Sequence, residues 1–268
     1  MLCGTLFRIS FWSVETVYFM PTPFMHLAFS QRVIDDPALP RAHRETLTAP
    51  ENWGAFLLGS VAPDARVSSG IRRADTHFFE YTPTIPVPPF TVMLERFPEL
   101  NLEQLSAKAH CAFVAGYGAH LAMDEIWCVD LLFPYFMRPW DDEFTSFKML
   151  HMLLGTLDAR DYASLPRADH YAALSVAQPE HWLPFIPDDA LVEWRDLIAQ
   201  QITPGGRSST ITILSQRINM SADDMDGFIA SPEQMETNLW RNVPPAVVAV
   251  VEQAMYDRAR DVLLSYLS

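Results

Sequence analysis

Apolar residues recur at intervals of three and four positions through most of the chain, whereas the strict alternation typical of a strand is scarce. This spacing places apolar side chains on one face of a helix, so the pattern predicts an all-α, single-domain bundle of several helices. The predicted helices, with ends accurate to a few residues, cover 24–35, 52–59, 103–130, 143–160, 188–202, 207–218, 232–241 and 245–267. The β-branched run TITIL at 210–214 also fits a strand, although the sequence offers no evident partner for it.

Proline-rich stretches separate some of these helices. The chain has 21 prolines and ten glycines. We interpret YTPTIPVPPF at 81–90 and the segment 179–187 as stiff surface connections. Candidate polar residues, described below, lie on both sides of the first stretch, which favours one domain over residues 20–268.

The first nineteen residues, MLCGTLFRISFWSVETVYF, are apolar but contain Arg8 and Glu15 and lack a small-residue cleavage site. A secretory signal peptide is therefore not favoured. Helix-like periodicity begins just after Met20, in PTPFMHLAFSQRVI. We interpret residues 1–19 as a start-site extension or a disordered tail.

Composition narrows the functional classes. Hydrophobic residues make up 49% of the 268 positions, which excludes a disordered protein. No apolar run reaches the roughly 18 residues that span a bilayer, and the cysteines lack CxxC spacing. We therefore expect a soluble, cytoplasmic protein without a transmembrane segment. The formal net charge of -14 repels duplex nucleic acid, so we expect no such partner.

The segment GYGAHLAMDEIW at 116–127 places two polar residues in apolar surroundings. His120 and Asp124 are four residues apart, so on a helix their side chains project from the same face. Buried polar groups need partners. A charge-assisted pair inside the core and a metal site fit this spacing equally well.

Three other residues stand in similar surroundings. His26 lies on the first predicted helix, in PFMHLAF, and Asp64 follows a predicted helix end, in LLGSVAPDAR. His77 lies between a polar loop and aromatic residues, in ADTHFFEY. Imidazole nitrogens and carboxylate oxygens are ligands of zinc and similar divalent metals. Taken singly, each histidine also fits a hydrogen-bonded core position, and Asp64 a turn or cap.

In their order and spacing, these five residues resemble the zinc-dependent phospholipase C family, which shares its helical fold with single-strand-specific zinc nucleases. The resemblance covers about residues 20–130 and consists of His26, APD at Asp64, THF at His77, and HLAMD from His120 to Asp124. It implies a helical bundle in which Asp64, His77, His120 and Asp124 hold one metal. Asp124 and His26 would reach a second ion.

The chain departs from the trinuclear members of that family. Those members use a processed N-terminal residue as a ligand, with a further histidine and a downstream His-x-x-x-Glu pair. The histidines after Asp124 are His151, His170 and His181, and none is followed by glutamate four residues later. We therefore expect one or two ions, zinc or another divalent metal. His151, with its apolar surroundings, is predicted to be a core histidine.

Other polar and aromatic residues near the motif receive lesser roles. His43 and His110 are expected to be exposed or to orient a ligand. Glu125 projects about 100° around the helix from Asp124, so we expect it to orient a ligand or face solvent. The stretch LLFPYFMRPWDDEF at 131–144 is expected to be a loop folded onto the core.

The resemblance implies hydrolysis of a phosphoester, with a phospholipid or a smaller phosphodiester as substrate. A divalent metal lowers the pKa of a bound water to about 7, which produces a nucleophile at neutral pH. Asp64 is the expected catalytic residue, taking the proton of that water.

Three alternatives stay open. A non-catalytic helical protein would use the metal or polar cluster to fasten its helices, in a closed site. An HD-domain-like nucleotide phosphohydrolase is also helical, but it needs a histidine directly followed by an aspartate, and no histidine of this chain is followed by one. An acidic interaction module would be favoured if the C-terminal helix, 245–267, exposed its apolar face.

Overall fold

The computed structural model describes residues 20–138, 140 and 143–268, with the backbone alone at 143 and 144. All regular structure within these residues is helical, which confirms the all-α prediction. None of the described helices is both long and apolar enough to cross a membrane. The prediction for residues 1–19 lies outside the described residues.

Turns and irregular loops join one helix to the next along the chain, and the longer loops cover 78–88 and 175–187. The α-helices are α1 Pro23–Asp35, α2 Arg41–Leu47, α3 Pro50–Val61, α4 Arg66–Ser69, α5 Arg73–His77, α6 Pro89–Arg96, α7 Lys108–Ile126, α8 Glu143–Ser164, α9 Arg167–Leu174, α10 Asp188–Ile202, α11 Thr210–Arg217, α12 Ala222–Ile229, α13 Pro232–Met235 and α14 Pro245–Leu267. Tighter 3-10 turns occupy Ala62–Ala65, Pro98–Leu100 and Leu102–Gln104. Wider π-helical turns occupy Trp127–Phe136 and Glu236–Trp240.

Each predicted helix is present, although some ends differ. The segment predicted from residue 103 becomes α-helical only at Lys108, after the 3-10 turn. The strand interpretation of TITIL is wrong, because this run begins α11. Within the run TITIL the buried residues are Thr210 and Leu214. They are four residues apart, which is the spacing of a helix face.

Six helices were not predicted from the sequence: α2, α4, α5, α6, α9 and α12. None exceeds 8 residues, so none fills the window of about 11–18 residues over which helical periodicity is read. Helix α6 begins inside the proline stretch 81–90, and its Phe90 is buried rather than part of a surface connection. The expected loop 131–144 is also partly wrong, because residues up to Phe136 continue the π-helical turn.

Two glycines bring α3 and α7 into backbone contact. A Cβ atom on Gly59 would lie 2.0 Å from the carbonyl oxygen of Phe113, and one on Gly116 would lie 2.4 Å from that of Phe56. Helix α7 also packs against α14, and every residue from Ala112 to Asp124 is buried. This explains why α7 is apolar around its whole circumference along much of its length. The packing sets α7, which carries His120, beside the turn that follows α3.

The apolar face of α14 is buried rather than exposed. Its buried residues recur with helical spacing and are Val248, Val251, Met255, Tyr256, Ala259, Leu263 and Tyr266. An exposed apolar face on α14 would have favoured an acidic interaction module, and the structure does not show such a face.

Gly116→Ala is expected to destabilise the protein by about 3 kcal/mol, because the added methyl group forces α3 and α7 apart. Gly227→Ala is the matched control, since Gly227 also lies in a helix but a Cβ there meets no atom within 4 Å. That variant is expected to gain about 0.5–1 kcal/mol from the reduced backbone entropy of its unfolded state. Urea unfolding measures both changes, and equal midpoints for the two variants would contradict the close helix approach.

Candidate metal centre

The five residues predicted as metal ligands meet at one place inside the bundle. His26 comes from α1, Asp64 from the 3-10 turn after α3, and His77 from the end of α5. His120 and Asp124 both come from α7. No more than 4% of any of the five is exposed. The structure thus brings together every predicted site residue, and their binding of a metal stays a prediction.

Two of these residues, Asp64 and His77, lie where the regular α-helix is interrupted. Pro63 stands in the turn Ala62–Ala65, where its fixed φ suits the start of a helical turn, and Asp64 follows it. Helix α5 ends at His77 because Phe78 adopts a left-handed backbone conformation with φ of 62°. Asp64 therefore lies within a short turn and His77 at the end of a short helix.

Imidazole nitrogens surround the carboxylate of Asp124. Its Oδ1 lies 3.6 Å from Nε2 of His26. Its Oδ2 lies 3.4 Å from Nε2 of His77 and 3.7 Å from Nε2 of His120. The Nε2 atom of His77 is also 3.6 Å from Oδ1 of Asp64. These distances are too long for good hydrogen bonds, but two ligand atoms of one tetrahedral ion, each bound at about 2.1 Å, lie roughly 3.4 Å apart.

Hydrogen bonds determine which nitrogen is available in two of the rings. Nδ1 of His120 lies 2.8 Å from the carbonyl oxygen of Ser60, which can only accept, so Nδ1 carries the proton. Nδ1 of His77 lies 2.9 Å from the hydroxyl of Thr76, which itself donates to the carbonyl oxygen of Arg73 and so accepts from the ring. In the neutral form of both rings Nε2 keeps its lone pair, as metal binding requires.

Several buried polar atoms of this cluster have no hydrogen-bond partner among the described residues. They are Nδ1 and Nε2 of His26, Nε2 of His77, Nε2 of His120 and Oδ1 of Asp124. One such atom costs about 1–3 kcal/mol, so their concentration at one place calls for a partner. Two groups, His26–His120–Asp124 and Asp64–His77–His120, have ligand atoms within 4.8 Å of one another. The residues therefore fit a divalent cation.

His120 limits how many ions can be held tightly, because it belongs to both groups. Its Nδ1 is bonded to Ser60, so Nε2 alone can bind, and one nitrogen serves one ion. If two ions were bound at the same time, His120 would bind only one of them. The remaining ligands, His26, Asp64, His77 and Asp124, would be distributed over both ions. Asp124 is suited to a bridging position, since its oxygens face different imidazoles.

Burial keeps two of the three imidazoles neutral. Burial, reinforced by the neighbouring His120, lowers the pKa of His26 to about 3. Burial and the positive charge of Arg73 hold the pKa of His77 well below its usual value. Both rings are therefore in the form that donates a lone pair to a metal near neutral pH.

His120 and Asp124 shift each other's pKa. Burial disfavours the charged form of each, but the carboxylate of Asp124 outweighs this and raises the pKa of His120. For Asp124 burial is likewise outweighed, chiefly by His120, and its pKa is lowered. Without a cation the two residues thus favour the charged pair that was one of the sequence alternatives, and a divalent ion would replace the proton on His120.

The sequence did not predict three further residues at the centre. Nη2 of Arg73 donates to Oδ2 of Asp124 at 3.0 Å across 51 positions of the chain. Tyr117 donates its hydroxyl to the carbonyl oxygen of Thr76 at 2.6 Å. Thr76 is next to His77, and Arg73 precedes His77 by four residues. Proximity in the sequence and helical spacing could therefore have indicated these two residues. The hydrogen bond of Tyr117 joins two distant segments, and no pattern in the sequence indicates such a contact.

The other polar residues named from the sequence lie outside the cluster. His151 is buried in the core as predicted, with Nδ1 2.9 Å from the backbone carbonyl four residues earlier. His43 and His110 are half-buried, and Nε2 of His110 lies 2.7 Å from a loop carbonyl rather than near a ligand. Glu125 neither orients a ligand nor faces solvent freely, because it pairs with Arg258 of α14 at 3.2 Å.

The centre is nearly closed to solvent, and its most accessible edge is formed by two charged side chains. The side chain of Arg73 is 12% exposed and that of Asp64 6%, against 0% for Asp124. The imidazole side chains of His26, His77 and His120 are each 1% exposed. Among these side chains Arg73 and Asp64 are the most exposed, so we expect a ligand larger than an ion to approach from their side.

Protein-family models, curated proteins and solved structures were compared with this chain, and none matches it.

Proposed function

We propose that the protein is a metal-dependent hydrolase of phosphoesters, similar to zinc-dependent phospholipase C. One observation carries the proposal: three buried imidazoles and two carboxylates converge, and most of their facing atoms lack a hydrogen-bond partner. Nitrogen and oxygen ligands of this kind suit zinc or a similar divalent metal. His120 would bind the ion together with Asp64 and His77, or with His26 and Asp124.

A bound divalent ion supplies Lewis-acid chemistry, because it lowers the pKa of water and polarises a phosphoryl oxygen. Asp64 is the residue suited to accept the proton that water loses, at a carboxylate oxygen. It lies at the accessible edge, with its side chain 6% exposed, and can pass the proton on to solvent. Asp124 is less suited, since it is fully buried and already accepts a hydrogen bond from Arg73.

The overall charge favours a small substrate. A net charge of -14 repels polyanions, whereas a single phosphodiester or a zwitterionic lipid headgroup carries little charge to be repelled. A phospholipid or a smaller phosphodiester is therefore the proposed substrate class.

A structural metal is the second candidate, and the burial of the ligands favours it. At most 4% of any of the five residues is exposed, and a closed site is typical of structural zinc. Such a site would fasten α1, α5 and α7, which contribute the histidines, without turnover.

The two candidates differ in turnover. Metal-replete protein is expected to hydrolyse a nitrophenyl phosphodiester, chelation is expected to abolish the reaction, and added Zn²⁺ is expected to restore it. His181→Ala is the control variant, because this side chain is 99% exposed and belongs to neither ligand group. Release of nitrophenolate measures the rate. Retained metal without turnover on phosphodiesters, phosphomonoesters and phospholipid vesicles would reject the hydrolase in favour of the structural metal.

A further inference from the structure

Arg73 is a cationic side chain in direct contact with one of the proposed ligands, and Arg66 is a second cation close enough to lower the pKa of His77. Its Nη2 donates to Oδ2 of Asp124 at 3.0 Å, and its side chain is 12% exposed while that of Asp124 is fully buried. The guanidinium thus spans the boundary between the buried cluster and solvent. It can touch the centre and an incoming ligand at the same time.

Two aromatic rings hold this guanidinium in place. Its central carbon lies 4.4 Å from the ring centroid of Phe79 and 4.4 Å from that of Tyr81, both within cation–π range. A longer contact of 3.4 Å joins Nη1 to the carbonyl oxygen of Phe79. A side chain fixed in this way loses little conformational entropy when it binds a further group.

Arg73 has donors to spare. A guanidinium carries five N–H groups, and those of Arg73 make two hydrogen bonds within the described part of the chain, to Asp124 and to Phe79. The planar arrangement of the remaining donors matches two oxygens of a phosphate.

The charges at the centre leave Arg73 in excess once a metal is bound. One divalent ion balances the carboxylates of Asp64 and Asp124. Asp75, on the same short helix as Arg73, is already paired with Arg72 at 2.9 Å. The occupied centre is therefore positive at its accessible edge, within a strongly acidic protein, and a phosphodiester monoanion would balance it.

We infer that Arg73 is an anion-binding residue of this centre, which holds a phosphoryl oxygen of the substrate beside the metal. The inference rests on the proposed function, and it assigns the substrate's anionic group to a specific side chain. The competing role is structural: Arg73 would serve only as the counter-charge of Asp124 when no metal is present.

The test measures binding of inorganic phosphate to metal-replete protein by calorimetry. Arg73→Gln is expected to raise the phosphate dissociation constant about 10- to 100-fold with unchanged metal content, because it removes a charged donor pair. Arg73→Lys keeps the charge beside Asp124 but loses the fork, so it is expected to fold and to bind phosphate at an intermediate strength. Arg72→Gln is the matched control, since Arg72 is 68% exposed and paired with Asp75, and it is expected to bind phosphate as the unmodified protein does.

Three results would overturn the inference. One is equal phosphate binding by Arg73→Gln and Arg72→Gln. Another is loss of metal from both Arg73 variants, because Arg73 would then be needed to form the centre rather than to bind phosphate. The third needs no variant: phosphate that fails to raise the melting temperature of the unmodified, metal-replete protein. Phosphate binding that depends on Arg73 in a protein without turnover would support the anion site while rejecting the hydrolase, so the two proposals fail separately.

Discussion

Replacing His120 by alanine is expected to reduce the metal content of the purified protein from near-stoichiometric to a small fraction of that. The effect is large because His120 belongs to both groups that can hold an ion. Removing a residue that only orients a ligand costs about 10–100-fold in metal affinity, and removing the ligand itself should cost more. Elemental analysis after dialysis into metal-free buffer measures the loss.

Variants of other histidines make this result specific. His181→Ala, with its exposed side chain, should retain the metal of the unmodified protein. His26→Ala and His77→Ala each remove a nitrogen from one group only, so the variant that loses more metal identifies the group that holds the tighter ion. Metal content that is unchanged in His120→Ala would refute the assignment of the centre.

Chelation of the bound metal is expected to lower the melting temperature by about 10 °C. An ion present at about 1,000 times its dissociation constant stabilises the folded state by about 4 kcal/mol, and each kcal/mol shifts the Tm of a domain of this size by about 2–4 °C. Removing the ion also leaves the unpartnered atoms of His26, His77 and His120 inside the core. Circular dichroism with and without chelator measures the shift.

The same chelator should leave the melting of His120→Ala almost unchanged, because that variant begins with little metal. Zinc added after chelation should return the unmodified protein to its original melting temperature. An unmodified, metal-containing protein that melts identically with and without chelator would show that Arg73 and a proton on His120 compensate Asp124 well enough alone. The metal would then add nothing to stability.

The long helices were readable from the sequence because each repeats its apolar face several times. Helix α10, Asp188–Ile202, coincides with its predicted range, and α14, Pro245–Leu267, does as well. The short helices were not predicted, because each has too few residues to repeat an apolar face. Helix α5, with 5 residues, completes little more than one turn, and its existence depends on packing rather than on its own periodicity.

The candidate site was predictable to the extent that its motifs are local. The i,i+4 spacing already joins His120 to Asp124 on one face of α7. His26, Asp64 and His77 were candidates because of their surroundings in the sequence, but no local pattern joins them to that pair, and only the resemblance to zinc-dependent phospholipase C did so. Arg73 stands four residues before His77, but its salt bridge to Asp124 links two segments 51 positions apart, and no local pattern indicates that contact.

By itself, the sequence determined the helical class, the long helices and the chemical types of the candidate ligands, since periodicity and side-chain chemistry can be read from the residues without their tertiary contacts. Only the tertiary structure decided that the imidazoles and carboxylates share one buried space, with Nε2 of His77 3.4 Å from Oδ2 of Asp124. The physical reason lies in close packing: Gly59 and Gly116 let α3 and α7 touch, and that contact fixes the distance between the polar groups the two segments carry. Arg73 lies on α5, and the packing of α5 against the turn Ala62–Ala65 sets it beside Asp124.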